Sequence, residues 1–332
     1  MRLRSLHDTL GASWGYEGER EVVWNYNSLR VELESLDYGP ALLDFSDYGL
    51  LEVSGKDALE FVHNQCTSNI KKMPEEGWLE TCFLNNRGQV EHAALVVRRG
   101  EKLWIAARTA PALAERFRRY IIFDAVEIAQ PEGWVLLRLN GLQTGYVARS
   151  LTEQFPGVWG VSATEDWVMA RDEYGAWLWV LAGKAEALAK ALIMAGAKPT
   201  GREAWRIWRV ERGIADLEDS LGELPQEVGW EYRVSYKKGC YLGQEIMARL
   251  EARGNTRYQV MGLLGQKEMF SGSPVLRDGK KVGEVKTSVV SPKLGALALA
   301  LVRKELNVGD QVQVGETSAT LALLPLDLVP GI

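Results

Sequence analysis

Twice in succession, apolar segments of strand length and amphipathic segments of helix length come close to the order strand, helix, strand, strand, helix, strand, the first round with one strand more and the second without its last. That repeated order limits the chain to a small set of α+β folds. In the first round Leu50, Leu51 and Val53 mark a strand over Gly49–Ser54, and Gly55-Lys56-Asp57 opens a helix with Ala58, Leu59, Phe61 and Val62 at helical spacing. Strands follow over Trp78–Leu84, Val90–Arg98 and Leu103–Ala107, with Asn85-Asn86-Arg87-Gly88 as a hairpin signal. A helix over Pro111–Tyr120 and a strand over Phe123–Ile128 close the round. The second round has strands at Trp134–Leu139, Trp167–Arg171 and Trp177–Leu181. Its helices are expected over Leu142–Leu151 and Lys184–Ala195, the latter with Leu188, Leu192 and Ile193 on one face. These two rounds predict two related ferredoxin-like α/β halves.

A further helix rich in Trp and Arg covers Arg202–Arg212. After Gly254 short apolar stretches alternate with turn signals such as Gly272-Ser273-Pro274 and Asn307-Val308-Gly309-Asp310. That texture predicts a small C-terminal β-barrel, with a boundary near 250–256.

Composition excludes several function classes. The 332-residue chain carries a net charge of −5 and no long basic run, which argues against a nucleic-acid binder relying on phosphate neutralisation. Cys66, Cys82 and Cys240 form no C-x-x-C pair, so a disulfide framework is not expected and a reducing compartment fits. His7, His63 and His92 are far apart, and no zinc site is expected from local spacing. The N-terminus lacks an apolar core of signal-peptide type, and no apolar run is long enough to span a membrane. A cytoplasmic protein without membrane contact is the expectation.

The chemistry concentrates in Lys238-Gly239-Cys240-Tyr241-Leu242-Gly243-Gln244-Glu245. Eight residues hold a cation, two glycines, a thiol, a ring, an amide and a carboxylate. The flanking Val234-Ser235-Tyr236 and Ile246-Met247-Ala248-Arg249-Leu250 read as a loop entering a helix. A helix start with Lys237 and Lys238 beside it favours the thiolate form of Cys240. Cys66 and Cys82 sit in apolar contexts and read as core. Gly239 and Gly243 serve either turn geometry or close approach of a ligand. Gln244 and Glu245 either form a helix first turn or fix the loop.

Read together, these segments resemble the folate-binding superfamily of the glycine-cleavage T-protein (aminomethyltransferase) and the YgfZ proteins. Leu6-His7-Asp8-Thr9-Leu10-Gly11-Ala12 is similar to the T-protein start, as is Leu43-Asp44-Phe45-Ser46-Asp47-Tyr48-Gly49 followed by Val53-Ser54-Gly55-Lys56-Asp57-Ala58. Gly283-Glu284-Val285-Lys286-Thr287-Ser288, Ser291-Pro292 and Ala298-Leu299-Ala300 match in the barrel. The sharpest likeness is Lys238–Glu245, extended to Ala248-Arg249, which resembles the K-G-C-Y-x-G-Q-E signature separating YgfZ from the T-protein. Leu224-Pro225-Gln226-Glu227 agrees with the same subgroup.

The resemblance implies a three-domain cloverleaf around a central folate cavity. Residues 1–130 and 200–250 would form the T-protein-like domain with the Cys240 loop, 131–199 the second α/β domain, and 251–332 the barrel. It implies tetrahydrofolate as cofactor and iron–sulfur client or assembly proteins as partners, in assembly or repair of iron–sulfur proteins. Cys240 and Lys238 are the candidate catalytic residues. Lys237, Gly239, Tyr241, Gly243, Gln244, Glu245 and Arg249 are candidates for holding the folate. Arg249 and Arg253 either bind its glutamate tail or cover the surface. Arg209-Val210-Glu211-Arg212-Gly213 resembles a T-protein segment whose glutamate accepts hydrogen bonds from the pterin, which places Glu211 there; a salt bridge to Arg209 or Arg212 is the other reading. One or two of the twelve tryptophans are expected to line the pterin slot.

Two departures qualify the likeness. Gly88-Gln89-Val90-Glu91-His92-Ala93 puts His92 and Ala93 where the T-protein carries aspartates, and Glu91 is one residue off, on the opposite strand face. Gly175-Ala176-Trp177 replaces an acidic position in the second half. With the general acid/base missing, aminomethyl or one-carbon transfer stands as the alternative function. A single thiolate cannot hold a cluster that takes four ligands, so Cys240 reads as a transient ligand, a nucleophile or a mixed-disulfide partner.

Overall fold

The computed structural model describes residues 3–26, 28–254 and 256–326; the side chain of Arg253 lies outside the described residues. The chain separates into two units, one of residues 1–81 and 94–205, the other of residues 82–93 and 206–332.

The first 48 residues, which carry little periodicity, fold into α1 (Arg4–Thr9), a hairpin of β1 (Ser13–Glu17) and β2 (Arg20–Asn25), α2 (Leu29–Asp37) and β3 (Ala41–Asp44). Ser28 caps α2, its hydroxyl accepting from the Val31 N–H. Next come β4 (Gly49–Ser54), α3 (Ala58–Gln65), β5 (Trp78–Leu84), β6 (Val90–Arg99), β7 (Lys102–Ala107), α4 (Ala110–Tyr120) and β8 (Glu127–Ala129). Their sheet has the order β5-β6-β7-β4-β8. Leaving aside β5, that is the split βαβ arrangement of a ferredoxin-like half. The strand expected at Phe123–Ile128 shrinks to Glu127–Ala129, because pairing with β4 reaches only Glu52, Val53 and Ser54. Phe123 is left 98% exposed.

The second round forms β9 (Trp134–Asn140), α5 (Thr144–Ala148), β10 (Val161–Ala163), β11 (Trp167–Arg171), β12 (Gly175–Leu181), α6 (Ala182–Met194) and β13 (Lys198–Pro199). The sheet order is β10-β11-β12-β9-β3-β13. Here β3 takes the place beside β9, antiparallel to it, and β13 joins β3 in parallel. The second sheet therefore borrows a strand from upstream of the first. Ala176, Leu178 and Val180 of β12 enter a core with Leu137, Leu139, Leu188 and Leu192. On the alternate positions Trp177 meets Phe45 edge-on at 5.0 Å and lies under the Arg138 guanidinium at 4.8 Å.

Two buried polar contacts join three of the early residues. His7 Nε2 lies 2.8 Å from Asp44 Oδ2, and the Tyr26 hydroxyl 2.7 Å from His7 Nδ1. Burial by itself pushes the Asp44 carboxyl up, but the bonds from His7 and Ser46 and the charge of His7 outweigh it and hold it below the usual carboxylate range. Asp172 behaves alike: burial raises it, and the charge and bonds of Arg138 bring it lower. A depressed carboxyl contributes stability that is present above its unfolded value, about 3.9, and lost as pH falls through the lower folded value. The Asp44→Asn variant is thus expected to be about 2 kcal/mol less stable than wild type near neutrality, with the gap closing at acid pH, as pH falls below the unfolded value of about 3.9 and through the lower folded one. Urea unfolding at both pH values measures it; an equal gap at both would refute the assignment.

The second unit continues with α7 (Arg202–Glu211), which begins in the first unit and ends in the second, then α8 (Leu217–Ser220) and α9 (Gln244–Arg253). The strands β14 (Tyr258–Gly265), β15 (Pro274–Arg277), β16 (Lys280–Ser291), β17 (Gly295–Arg303), β18 (Gln311–Val314) and β19 (Thr317–Ala322) close into the expected barrel, in the order β14-β17-β16-β15-β18-β19. Val275, Val285, Ala298, Ala300 and Leu321 are among the residues filling it. Arg209 mounts α7 on the barrel. Its Nη1 pairs with Asp219 Oδ2 at 2.6 Å and its Nη2 donates to Thr287 Oγ1 at 2.9 Å, all three buried.

Candidate functional site

The Cys240 loop is built on a turn, a glycine and a hairpin tip, all in the second unit. Gly243 begins α9 with φ +86°, and a Cβ there would lie 2.8 Å from the Asn85 carbonyl oxygen. No other residue type meets both conditions. The hairpin at 85–88 approaches in return, since a Cβ on Gly88 would lie 2.9 Å from Ile246 Cβ. Asn85 holds that tip, its Oδ1 accepting from the N–H groups of Arg87 at 2.9 Å and Gln89 at 3.0 Å. Gln244 closes the loop from inside, its Oε1 accepting from the Tyr241 N–H at 3.1 Å.

Tyr241 is buried against Trp230, Val234 and Met247, which anchors the loop. Lys238 Nζ lies 4.8 Å from the Tyr241 ring centroid, close enough for a cation–π contact. Cys240 is exposed between these two residues. Gly239 and Lys237 are exposed too, and a Cβ on Gly239 would meet nothing within 4 Å. Glu245 and Arg249 lie exposed on α9. The helix starts four residues after Cys240, so the thiol sits ahead of the first turn. Cys66 and Cys82 are buried, as their contexts predict.

Two supports were not legible in the sequence. Gln226 donates from Nε2 to the Tyr236 hydroxyl at 2.9 Å and lies 3.1 Å from Met247 Sδ. Glu227 accepts from the N–H groups of Leu224 and Tyr258, and burial raises its carboxyl above the usual range. The Leu224–Glu227 stretch thereby braces both the Cys240 loop and the first barrel strand. Its only sequence signal was the subgroup likeness.

Glu211 is placed separately, at the C-terminal end of α7, and is 7% exposed. Its Oε1 accepts from Ser291 Oγ at 2.5 Å, and Ser291 Oγ in turn accepts from the N–H groups of Lys293 and Leu294 at 3.0 Å. In the sequence Ser291 stands out only as a turn signal and as part of the barrel likeness. The serine fixes the plane of a buried carboxylate, and such a carboxylate suits paired N–H donors of a flat heterocycle. On the alternate-residue pattern of β6, Glu91 is exposed while Val90 and His92 are buried.

Comparison with known proteins gives one consistent result. Residues 3–160 match the GCVT N-terminal domain and residues 259–325 the glycine cleavage T-protein C-terminal barrel domain. A chloroplastic Arabidopsis thaliana protein with a provisional transferase name is 28% identical, covering 93% of this chain and 76% of its own. An aminomethyltransferase of Rubrobacter xylanophilus is 28% identical over 96% and 91% of the two chains. A tRNA-modifying protein YgfZ of Shigella dysenteriae is 25% identical over 86% and 92%. The glycine cleavage aminomethyltransferase T of Bartonella henselae has the same fold, with a TM-score of 0.87, 20% identity and coverage of 98% and 97%.

Proposed function

Because the chain belongs to the glycine-cleavage T-protein superfamily, as a member of YgfZ type, we propose that it is a tetrahydrofolate-binding factor for assembly or repair of iron–sulfur proteins. The observation that carries this reading is the exposed thiol of Cys240 on a loop anchored behind it by Tyr241, Gly243 and Gln244. Such a thiol is reachable by a partner protein and held in one place. Lys238, two residues before the thiol in sequence, lies with its ammonium over the Tyr241 ring. Client or assembly proteins carrying iron–sulfur clusters are the partners, and the cytoplasm is the compartment. No described helix is long and apolar enough to cross a membrane.

Tetrahydrofolate fits the donor set. Glu211 would accept the pterin's N–H groups through a carboxylate whose orientation Ser291 fixes. Lys237, Gly239, Tyr241, Gly243, Gln244, Glu245 and Arg249 are the further candidates for holding it, the two cations facing the anionic glutamate tail. Bound there, the folate supplies a one-carbon carrier. The protein's own groups orient it and present the sulfur.

Titration with tetrahydrofolate, followed by tryptophan fluorescence, is expected to show quenching in the wild type. The Glu211→Ala variant is expected to bind at least about tenfold more weakly, the usual scale for a lost charge-assisted bond. In cells, Cys240→Ala is expected to leave iron–sulfur enzymes under-active; full activity with that variant would sink the proposal.

Aminomethyl transfer is the second reading, favoured by the full-length match to the Rubrobacter xylanophilus enzyme. Methylene-tetrahydrofolate formed at an enzymatic rate from an aminomethyl-lipoyl carrier would put it first. The resemblance sets His92 where the T-protein carries an aspartate, and that speaks against it.

A further inference from the structure

One stretch of the second unit has the opposite charge from the protein as a whole. Between Glu231 and Tyr258 the chain holds six basic and three acidic residues, in a protein of net charge −5. Packing gathers them. Trp230, Tyr241 and Tyr258 share one small core with Val234, Tyr236 and Met247. A cation lies over each of these rings: Arg233 Cζ at 3.8 Å from Trp230, Lys238 Nζ at 4.8 Å from Tyr241, and Arg257 Cζ at 5.5 Å from Tyr258. Lys237 and Arg249 stand exposed on the same loop and helix. The carboxylates of this stretch, Glu231, Glu245 and Glu251, are also exposed and only partly offset the basic groups.

We propose that the face formed by Arg233, Lys237, Lys238, Arg249 and Arg257 docks an acidic polypeptide segment of the protein that Cys240 serves. This names the partner's chemistry and rests on the reading of Cys240 above for the purpose of docking. Two physical arguments select the occupant. Cations laid on rings have already lost much of their side-chain freedom, so less entropy is lost when a carboxylate is bound. Opposed charge also steers encounter towards the thiol. A single-stranded nucleic acid would instead need open aromatic faces for its bases. Trp230 and Tyr241 are buried to 3% and 9% exposure with cations over them, and Tyr232 at 62% is the one large ring strongly exposed in this stretch.

The test is fluorescence anisotropy of the full chain with a labelled α-linked Asp/Glu peptide of about a dozen residues. Binding is expected to weaken roughly tenfold between low and physiological salt, as screening of several ion pairs requires. Arg233→Glu with Arg257→Glu is expected to weaken it at least about tenfold. Lys184→Glu with Lys190→Glu, two exposed lysines of α6, is expected to leave it unchanged. Arg233→Gln with Arg257→Gln guards against misfolding, and is expected to melt like wild type and to bind at an intermediate level. Salt-independent binding, or equal loss in the α6 pair, overturns the proposal. So does tighter binding of an oligouridylate of equal length, or displacement of the peptide by a γ-linked glutamate oligomer at lower concentration than by unlabelled peptide. The isotherm needs no thiol, so failure of docking in solution and failure of Cys240 in cells are read in separate assays.

Discussion

Glu17→Gln is expected to destabilise the first unit by about 3–5 kcal/mol, the range for breaking a buried ion pair by removing one partner. Glu17 Oε2 accepts from Arg108 Nη2 at 2.6 Å and from Arg202 Nη1 at 2.8 Å. Asp47 answers the same two arginines, through Oδ2 at 3.3 Å from Arg108 Nε and through a bond from Arg202 Nη2. The four side chains close a ring of alternating charge, each no more than 5% exposed. Neutralising Glu17 leaves two buried guanidinium groups facing one carboxylate, out of reach of water. With a change of about 2–4 °C per kcal/mol for a unit of this size, the melting temperature should fall by about 10 °C. A fall of less than about 2 °C would show that solvent reaches the ring and screens it. Replacing all four residues by apolar ones of similar volume is expected to cost less than the single change, because the desolvation of charge disappears with the charges.

Gly243→Ala is expected to cost about 3 kcal/mol, but locally. Part is the strain of an L-residue at φ +86°, about 1–2 kcal/mol. The rest comes from a methyl group placed 2.8 Å from the Asn85 carbonyl oxygen and 3.1 Å from Leu84 Cβ, where backbone has to move. The loop and hairpin tip should part, exposing residues 236–243. Hydrogen exchange in the first turn of α9 should accelerate by about a hundredfold or more, at 1.4 kcal/mol per factor of ten. Exchange in β9 and β12, in the other unit, should not change. Protection of α9 equal to wild type would mean that the glycine is not what seats the Cys240 loop.

These two sites divide what residue patterns can and cannot reveal. Gly243 lies in a stretch whose mixed chemistry singled it out at once, and its turn role was one of two readings. What decided it was the Asn85 carbonyl, more than 150 residues upstream. Nothing in the sequence links Glu17, Asp47, Arg108 and Arg202, because scattered charges look like a solvated surface. Their burial exists only once β1, the turn after β3, the end of β7 and the start of α7 converge. The same holds for Ser291, an ordinary turn residue until its hydroxyl meets Glu211.

Periodicity and punctuation by themselves determined the strand–helix order, the barrel after Gly254 and the chemical peculiarity of residues 238–245, because these depend on neighbours a few positions apart. They left the first 48 residues blank and gave no sign that β3 enters the second sheet. Strand partnership across such distances is chosen by the total apolar area buried, here Leu42 with Leu137 and Leu139. That quantity belongs to the assembled tertiary structure, and no local window of residues contains it.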